Sequence, residues 1–145
     1  MLIEKPGIHE HMTALENLRY FSLLFGIQSQ DHHRILEMVG LQNAEKKKAR
    51  QFSLGMKQRL GIAISLLGNP DFLILDEPIN SLDPEGVYEM RKMLETLNRE
   101  NGTTIMIASH ILSELYKLAT DYAIIILAVL RCVVWISYFI CFDWF

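Results

Sequence analysis

Cysteine is scarce in this sequence, and its placement speaks against a cysteine-based metal site. Of the 145 residues only Cys132 and Cys141 are cysteines, and both lie close to the end of the sequence. No C-x-x-C pair and no cysteine–histidine spacing typical of zinc sites occurs. We also expect no secretory signal, because Glu4 and Lys5 stand near the start and no apolar stretch follows them. These features are typical of a cytosolic protein.

An excess of positive charge is missing as well. The sequence has 14 lysine and arginine residues against 17 aspartate and glutamate residues, a formal net charge of −3. Domains that bind nucleic acids present a strongly basic face, so we expect no nucleic-acid partner. The short basic run at residues 46–50 is typical of a solvated linker.

Hydrophobic residues make up 50% of the sequence, enough for one domain with a core. The first half predicts three helices. The sequence TALE, which opens at Thr13, is a capping box, and Gly26 ends that helix. A second helix is predicted over about residues 30–39. A third begins after Ser53 and ends at the Gly-Asn-Pro of residues 68–70.

The second half alternates strands with helices. It predicts strands at 72–76, 103–108 and 122–127, separated by helices at 84–100 and 112–118. This order is typical of an α/β fold in which helices flank a parallel sheet. The carboxyl ends of parallel strands meet at one edge, and open α/β sheets bind their ligands there.

Three side chains suited to phosphate chemistry are predicted at that edge. Asp76 and Glu77 follow the first strand, and His110 follows the second. Asp76 suits Mg²⁺, which prefers oxygen ligands. Pro78 favours an extended backbone at Glu77, whose carboxylate can then orient an attacking water. His110 contacts the terminal phosphate or holds Glu77 in line. An Asp-Glu pair after an apolar strand is common, however, and alone favours a structural interpretation.

The segment FSLGMKQRLGIAISLL, residues 52–67, contains a second candidate site. Free N–H groups at a helix N-terminus attract phosphate, and Ser53 adds a hydroxyl group. The alternative is an ordinary N-cap serine, and the helix start alone favours that alternative.

Taken together, four motifs resemble those of the nucleotide-binding domain of ABC transporters. FSLGM at 52–56 resembles the LSGGQ signature, and FLILDEP at 72–78 resembles Walker B. NSLD at 80–83 resembles the D-loop, and His110 resembles the switch histidine. Order and spacing agree for all four, and the resemblance covers about residues 1–126. It implies a partial P-loop NTPase fold in which a helical subdomain joins the α/β sheet.

The resemblance implies a set of site residues. In chain order they are Glu4, Ser53, Leu54, Gly55, Met56, Asp76, Glu77, Ser81, Asp83 and His110. Glu77 and His110 are implied to be catalytic, and Asp76 to bind the metal. Residues 53–56 are implied to contact a nucleotide that a partner subunit holds.

Three of these positions depart from the family's pattern. Leu54 stands at the usual first glycine of the signature, and Met56 stands at its usual glutamine. Glu4 stands where the Q-loop glutamine is usual. Ser81 and Asp83 agree with the D-loop.

The most similar subgroup is the bacitracin and lantibiotic export or immunity type. It implies ATP and Mg²⁺ as cofactors, and a head-to-tail dimer with a second ABC ATPase subunit. It also implies a membrane permease, whose coupling helix the segment 7–25 would face. The expected location is cytoplasmic, peripheral at the inner face of the cell membrane.

The family's phosphate loop is missing from these 145 residues. The dipeptide Gly-Lys does not occur, so no G-x-x-x-x-G-K-[ST] sequence exists. In the family this loop lies upstream, and we therefore expect a truncated chain. Without the loop's amides and lysine, Asp76 and Glu77 repel a nucleotide, so we expect negligible hydrolysis by the chain alone.

Three functions stay open at this point. The first is a fragment of the ATP-binding subunit of an exporter. The second is a catalytically inactive binding or regulatory module that supplies its signature to an intact partner. The third is a soluble ABC-type ATPase unrelated to transport.

The domain is expected over residues 1–126. Its helical and signature part covers about 7–68, and the part from Walker B to the switch histidine covers 69–126. The tail, residues 127–145, is strongly apolar and does not fit the family. A frameshifted tail, a membrane segment, and a packed strand with a helix are its three interpretations.

Overall fold

The computed structural model describes residues 7–121, 123–126 and 136–142. The helices and strands follow in chain order: α1 (Ala14–Leu24), α2 (His32–Met38), α3 (Leu54–Ser65), β1 (Phe72–Asp76), α4 (Pro84–Asn101), β2 (Thr104–Ser109), α5 (Leu112–Leu115), β3 (Ala123–Ile126) and β4 (Ile136–Phe142). Two short 3-10 helices, Gln42–Ala44 and Ala49–Gln51, lie between α2 and α3. The predicted elements through β3 are confirmed, with differences of at most three residues at their ends.

Helix α1 begins where the capping box predicts. The Thr13 hydroxyl accepts a hydrogen bond from the Glu16 N–H at 3.2 Å. The Thr13 N–H in turn donates to the Glu16 carboxylate at 2.8 Å, which lowers the pKa of Glu16. Gly26 follows the helix with a φ of 71°, a conformation that glycine adopts without strain. The start and the end of α1 are therefore set by local sequence.

The sheet has the strand order β1-β2-β4-β3. Strands β1 and β2 are parallel neighbours, with Phe72 opposite Thr104 and Asp76 opposite Ala108. This confirms the predicted parallel pair. Strand β4 is antiparallel to both β2 and β3, so the complete sheet is mixed, which the sequence pattern did not predict.

Strand β4 lies within the apolar tail. A strand there agrees with part of the third interpretation of the tail, while residues 127–135 and 143–145 lie outside the described part of the chain. Among the described residues no helix has both the length and the apolar character that crossing a bilayer requires.

One hydrophobic core joins the helices to the sheet. Its largest fully buried side chains are Leu18, Leu36, Leu41, Leu60, Leu73, Leu75, Met90, Leu94, Leu97, Ile105, Ile107 and Leu115. Burial alternates along β1 and β2, as it does when one sheet face packs against helices. Because both strands are fixed by this packing, the residues that follow them hold defined positions.

Candidate functional site at the carboxyl edge of the sheet

The ends of β1 and β2 bring the predicted acidic residues and histidine together. Asp76 closes β1 opposite Ala108 of β2. The next residue, Glu77, donates its backbone N–H to the Ala108 carbonyl at 2.8 Å. Parallel pairing thus continues one residue beyond the strand, and it places Glu77 beside Ser109 and His110.

The Glu77 carboxylate is held on both of its oxygens. Its Oε2 accepts a hydrogen bond from the Ser109 hydroxyl at 3.0 Å. Its Oε1 accepts one from the His110 backbone N–H at 3.2 Å. That same oxygen lies 2.6 Å from the His110 Nδ1. An ionised carboxylate can only accept, so Nδ1 is the protonated nitrogen in this contact.

The site has one side open to solvent. The side chain of Glu77 is 32% exposed and that of His110 is 62% exposed. Ser109, in contrast, is 4% exposed. The buried Ser109 hydroxyl therefore fixes the carboxylate from the protein side, and a molecule from solvent can reach the exposed side of the carboxylate.

Sequence reasoning missed Ser109. The available signal was its place in the chain, since it is the last residue of β2 and immediately precedes His110. A serine at the end of a buried strand is also common without any function, so the position alone did not single it out.

The expected extended backbone at Glu77 is wrong. Glu77 has a φ of 49°, in the left-handed region that non-glycine residues rarely occupy. Its backbone bond to Ala108 and its side-chain bonds to Ser109 and His110 together hold this conformation. Local preference before a proline is outweighed here by tertiary contacts.

The residues of the D-loop resemblance form the start of α4. The Asp83 carboxylate accepts a hydrogen bond from the Gly86 N–H at 3.1 Å, which makes Asp83 the N-cap, and Pro84 occupies the first helical turn. Ser81 is exposed, has a φ of 62°, and donates its hydroxyl to the Asn80 side-chain oxygen at 3.4 Å. Asp83 therefore has a clear structural role, whereas Ser81 is held in a strained turn.

The signature segment, residues 52–56, forms the start of α3. The Ser53 hydroxyl accepts a hydrogen bond from the Met56 N–H at 3.3 Å and caps the helix. Leu54 is 50% exposed, an unusual environment for a large apolar side chain. A Cβ added to Gly55 would lie 3.3 Å from the Leu82 side chain, so α3 and the D-loop are in close contact there.

The described contacts thus form two groups. Asp76, Glu77 and His110 share the sheet edge, while the signature segment contacts the turn that leads into α4. No described hydrogen bond joins Ser53 directly to Glu77 or His110. Glu4 lies outside the described residues.

The edge does not form a complete metal cage by itself. Among the described residues no group of three histidine, cysteine or acidic side chains is close enough to hold a metal ion. Asp76 supplies oxygen donors, which suit Mg²⁺. The donor set fits a magnesium ion that takes its remaining ligands from water and phosphate.

A groove of about 580 Å³ lies at the opposite edge of the sheet, near Asp71 and Thr103, which precede β1 and β2. None of the predicted site residues lines it. The carboxyl edge is therefore identified by the chemistry of its side chains.

A family model and curated relatives match this chain. The model of the ABC transporter family matches residues 1–80. The chain is 48% identical over 118 residues to the lantibiotic transport ATP-binding protein SrtF of Streptococcus pyogenes, covering 81% of this chain and 51% of the relative. It is 49% identical over 125 residues to the bacitracin transport ATP-binding protein BcrA of Bacillus licheniformis, covering 86% of this chain and 41% of the relative. The chain spans about half the length of these relatives, or less.

Solved structures show the same fold. The match to cbiO1 from Clostridium perfringens, part of the transporter complex cbiONQ, has a TM-score of 0.69 at 28% identity and covers 79% of this chain and 47% of that one. The match to the dimeric structure of MJ0796, a bacterial ABC transporter cassette, has a TM-score of 0.64 at 26% identity and covers 78% and 53%. The family model spans more than half of the 145 residues, and with these matches it shows that the chain belongs to the ABC transporter family.

Proposed function

We propose that this chain forms part of the ATP-binding subunit of an ABC transporter and couples ATP binding and hydrolysis to transport. The observation that carries the proposal is the Glu77 carboxylate, held by Ser109 and His110 at the carboxyl edge of β1 and β2. The names of the relatives, which transport a lantibiotic or bacitracin, support a peptide antibiotic as the transported molecule, in export or immunity.

Glu77 is proposed to orient the water that attacks the terminal phosphate. Three donors, from Ser109 and His110, fix its carboxylate while part of it stays exposed, so it is oriented before a reactant arrives. Phosphoryl transfer depends chiefly on such positioning and on charge stabilisation. His110 holds the carboxylate through Nδ1 and keeps an exposed ring beside the reacting group.

Asp76 is proposed to hold Mg²⁺ together with the phosphates of ATP. The ion would neutralise charge on those phosphates. Magnesium is commonly bound through one or two carboxylates, with water and phosphate completing its shell. The carboxylate of Asp76, which closes β1, fits that arrangement, because the carboxylate of Glu77 already accepts hydrogen bonds from Ser109 and His110.

A second ABC ATPase subunit is the proposed partner across the nucleotide. The exposed start of α3 supports this, since Ser53, Leu54 and Ser81 are exposed and Gly55 lies against Leu82, the residue after Ser81. Ser53, Leu54, Gly55 and Met56 would contact a nucleotide held by that partner. The solved structure of MJ0796, a bacterial ABC transporter cassette, is dimeric, which supports a paired subunit.

A membrane permease is the proposed second partner. The end of α1 exposes large apolar side chains, with Leu23 at 81% and Leu24 at 63% exposure, next to Tyr20 and Phe25. Exposed apolar patches of this kind mark interaction sites, and a protein partner would cover this one. With a permease as partner, the proposed location is cytoplasmic, peripheral at the inner face of the cell membrane.

The alternative function is a catalytically inactive module that lends its signature segment to an intact partner. The exposed start of α3, where Ser53 caps the helix and Leu54 is 50% exposed, favours it. In that case the effect of the chain on its partner would depend on Ser53 and not on Glu77.

A mixing experiment separates the two functions. The chain is added to an intact ABC ATPase subunit with its permease, and ATP hydrolysis is measured. Loss of the chain's effect in Glu77→Gln supports the hydrolytic subunit, and loss only in Ser53→Arg supports the module. Glu100→Gln, an exposed carboxylate at the far end of α4, is the matched control. If the intact partner hydrolyses ATP at the same rate with and without the chain, both proposed functions are refuted.

A further inference from the structure

Helix α3 is attached to the turn that carries Glu77. The Gln58 side chain donates a hydrogen bond from Nε2 to the Asn80 carbonyl at 3.3 Å. One helical turn earlier, Gly55 lies against Leu82, so closely that a Cβ would be 3.3 Å from its Cδ2. Residues three apart share one face of a helix. This face of α3 therefore contacts the turn, residues 77–82, at two points.

The 77–82 turn is strained and fixed at its other end by the sheet. Glu77 and Ser81 both have a positive φ, at 49° and 62°. Non-glycine residues keep such conformations only where surrounding contacts impose them. The Asn80 N–H donates to the Glu77 carbonyl at 3.1 Å, so Asn80 is bonded to Glu77 on one side and to Gln58 on the other.

A contribution to the stability of the fold does not explain the carboxamide of Gln58. Its Oε1 is buried and has no hydrogen-bond partner among the described residues. A buried acceptor without a partner costs free energy, and an apolar side chain of similar size would avoid that cost. The contact that remains to account for a glutamine at this position is its hydrogen bond to the Asn80 carbonyl in the turn.

We propose that Gln58 is a positioning residue that transmits the position of the signature segment to Glu77. The proposal rests on the proposed function, because it assumes that a partner's nucleotide contacts residues 53–56. Helix α3 moves as one element, so a shift at Ser53 displaces Gln58. Gln58 then moves Asn80, and the turn re-aims the Glu77 carboxylate.

Hydrogen exchange of the 145-residue chain tests the attachment without any partner. Gln58→Leu removes both polar atoms, and Gln58→Glu keeps the shape but removes the N–H donor. In both variants we expect exchange across residues 77–82 to become about 3- to 10-fold faster, the effect of losing one hydrogen bond. Lys57→Gln is the control, because Lys57 pairs with Glu10 and no described hydrogen bond joins it to the turn. Unchanged exchange in both Gln58 variants would overturn the proposal.

Kinetics of the chain mixed with an intact subunit and permease test the transmission. Gln58→Leu should lower kcat several-fold while KM for ATP and the unfolding midpoint stay as in the unmodified chain. A fall in the unfolding midpoint that accounts for all the lost activity would show a merely structural role. If the unmodified chain has no effect on the partner, the proposed function fails, and the exchange result still decides whether Gln58 fixes the turn.

Discussion

The Nδ1 atom of His110 lies 2.6 Å from the Oε1 atom of Glu77, although the two residues are 33 positions apart. The pairing of β1 with β2 creates this contact, because it aligns the residues that follow both strands. The carboxylate of Glu77, which belongs to the Walker B resemblance, is thereby fixed by His110, which resembles the switch histidine. Two sequence observations made separately converge on one geometric arrangement.

The chain alone is expected to hydrolyse ATP negligibly. Asp76 and Glu77 place negative charge at the sheet edge, and these 145 residues contain no phosphate loop to offset it. The measurement is phosphate release by the purified chain with Mg²⁺ and ATP. Steady turnover that disappears in Glu77→Gln would show that the chain hydrolyses ATP by itself.

Much of this arrangement follows from local sequence. The apolar run into Asp76, the Asp83-Pro84 start and the Asn101-Gly102 stop predict β1 and α4. A strand, a helix and a second strand then predict parallel pairing, which brings Glu77 and His110 to one edge. Local signals were sufficient because each element carries its own start and stop.

Three features depended on contacts that local patterns do not encode. The positive φ of Glu77 results from bonds to Ala108, Ser109 and His110, against the preference that Pro78 imposes. The Gln58–Asn80 bond joins residues 22 positions apart. Strand β4 pairs between β2 and β3, and its apolar sequence is equally compatible with other structures.

Removing the capping hydroxyl of α1 should destabilise the chain. Thr13→Ala deletes the acceptor for the Glu16 N–H, and we expect the free energy of unfolding to fall by about 1 kcal/mol. Thr96→Ala is the matched control, since Thr96 lies within α4 and its described hydrogen bond goes to the Lys92 carbonyl of its own helix. Urea titration of both variants gives the two values. Equal effects would mean that the hydroxyl at Thr13 contributes no cap.

Gly102 should tolerate asparagine better than alanine. It ends α4 with a φ of 66°, and a Cβ added there would have no heavy atom of a residue beyond its chain neighbours and the nearby helix backbone within 4 Å. Backbone strain alone therefore determines the cost, about 1–2 kcal/mol for Gly102→Ala and less for Gly102→Asn. Gly7→Ala, also free of steric contact, is the control. If both Gly102 variants unfold at the same urea concentration as the original chain, the left-handed conformation is not required there.

Acidification should weaken the contact between α1 and α2 through His32. The His32 Nε2 lies 2.7 Å from the hydroxyl of Ser22, which is 4% exposed. Burial lowers the pKa of His32 below its ordinary 6.5, and Arg19 lowers it further, while Asp31 opposes them. The unfolded chain therefore binds a proton more readily than the folded chain in this range. The contribution of His32 to stability is complete above pH 6.5 and declines as the pH falls from there through the lowered pKa.

Urea titrations across the acidic range measure this dependence on pH. In His32→Gln we expect the free energy of unfolding to vary less with pH below 6.5 than in the original chain, because the group whose pKa shifts is gone. His11→Gln, the same substitution at an exposed histidine, is the control. Carboxylates whose pKa is lowered, such as Glu10 and Glu16, act at lower pH and remain in both variants. An identical slope in His32→Gln and the original chain would mean that protonation of this histidine is not coupled to unfolding.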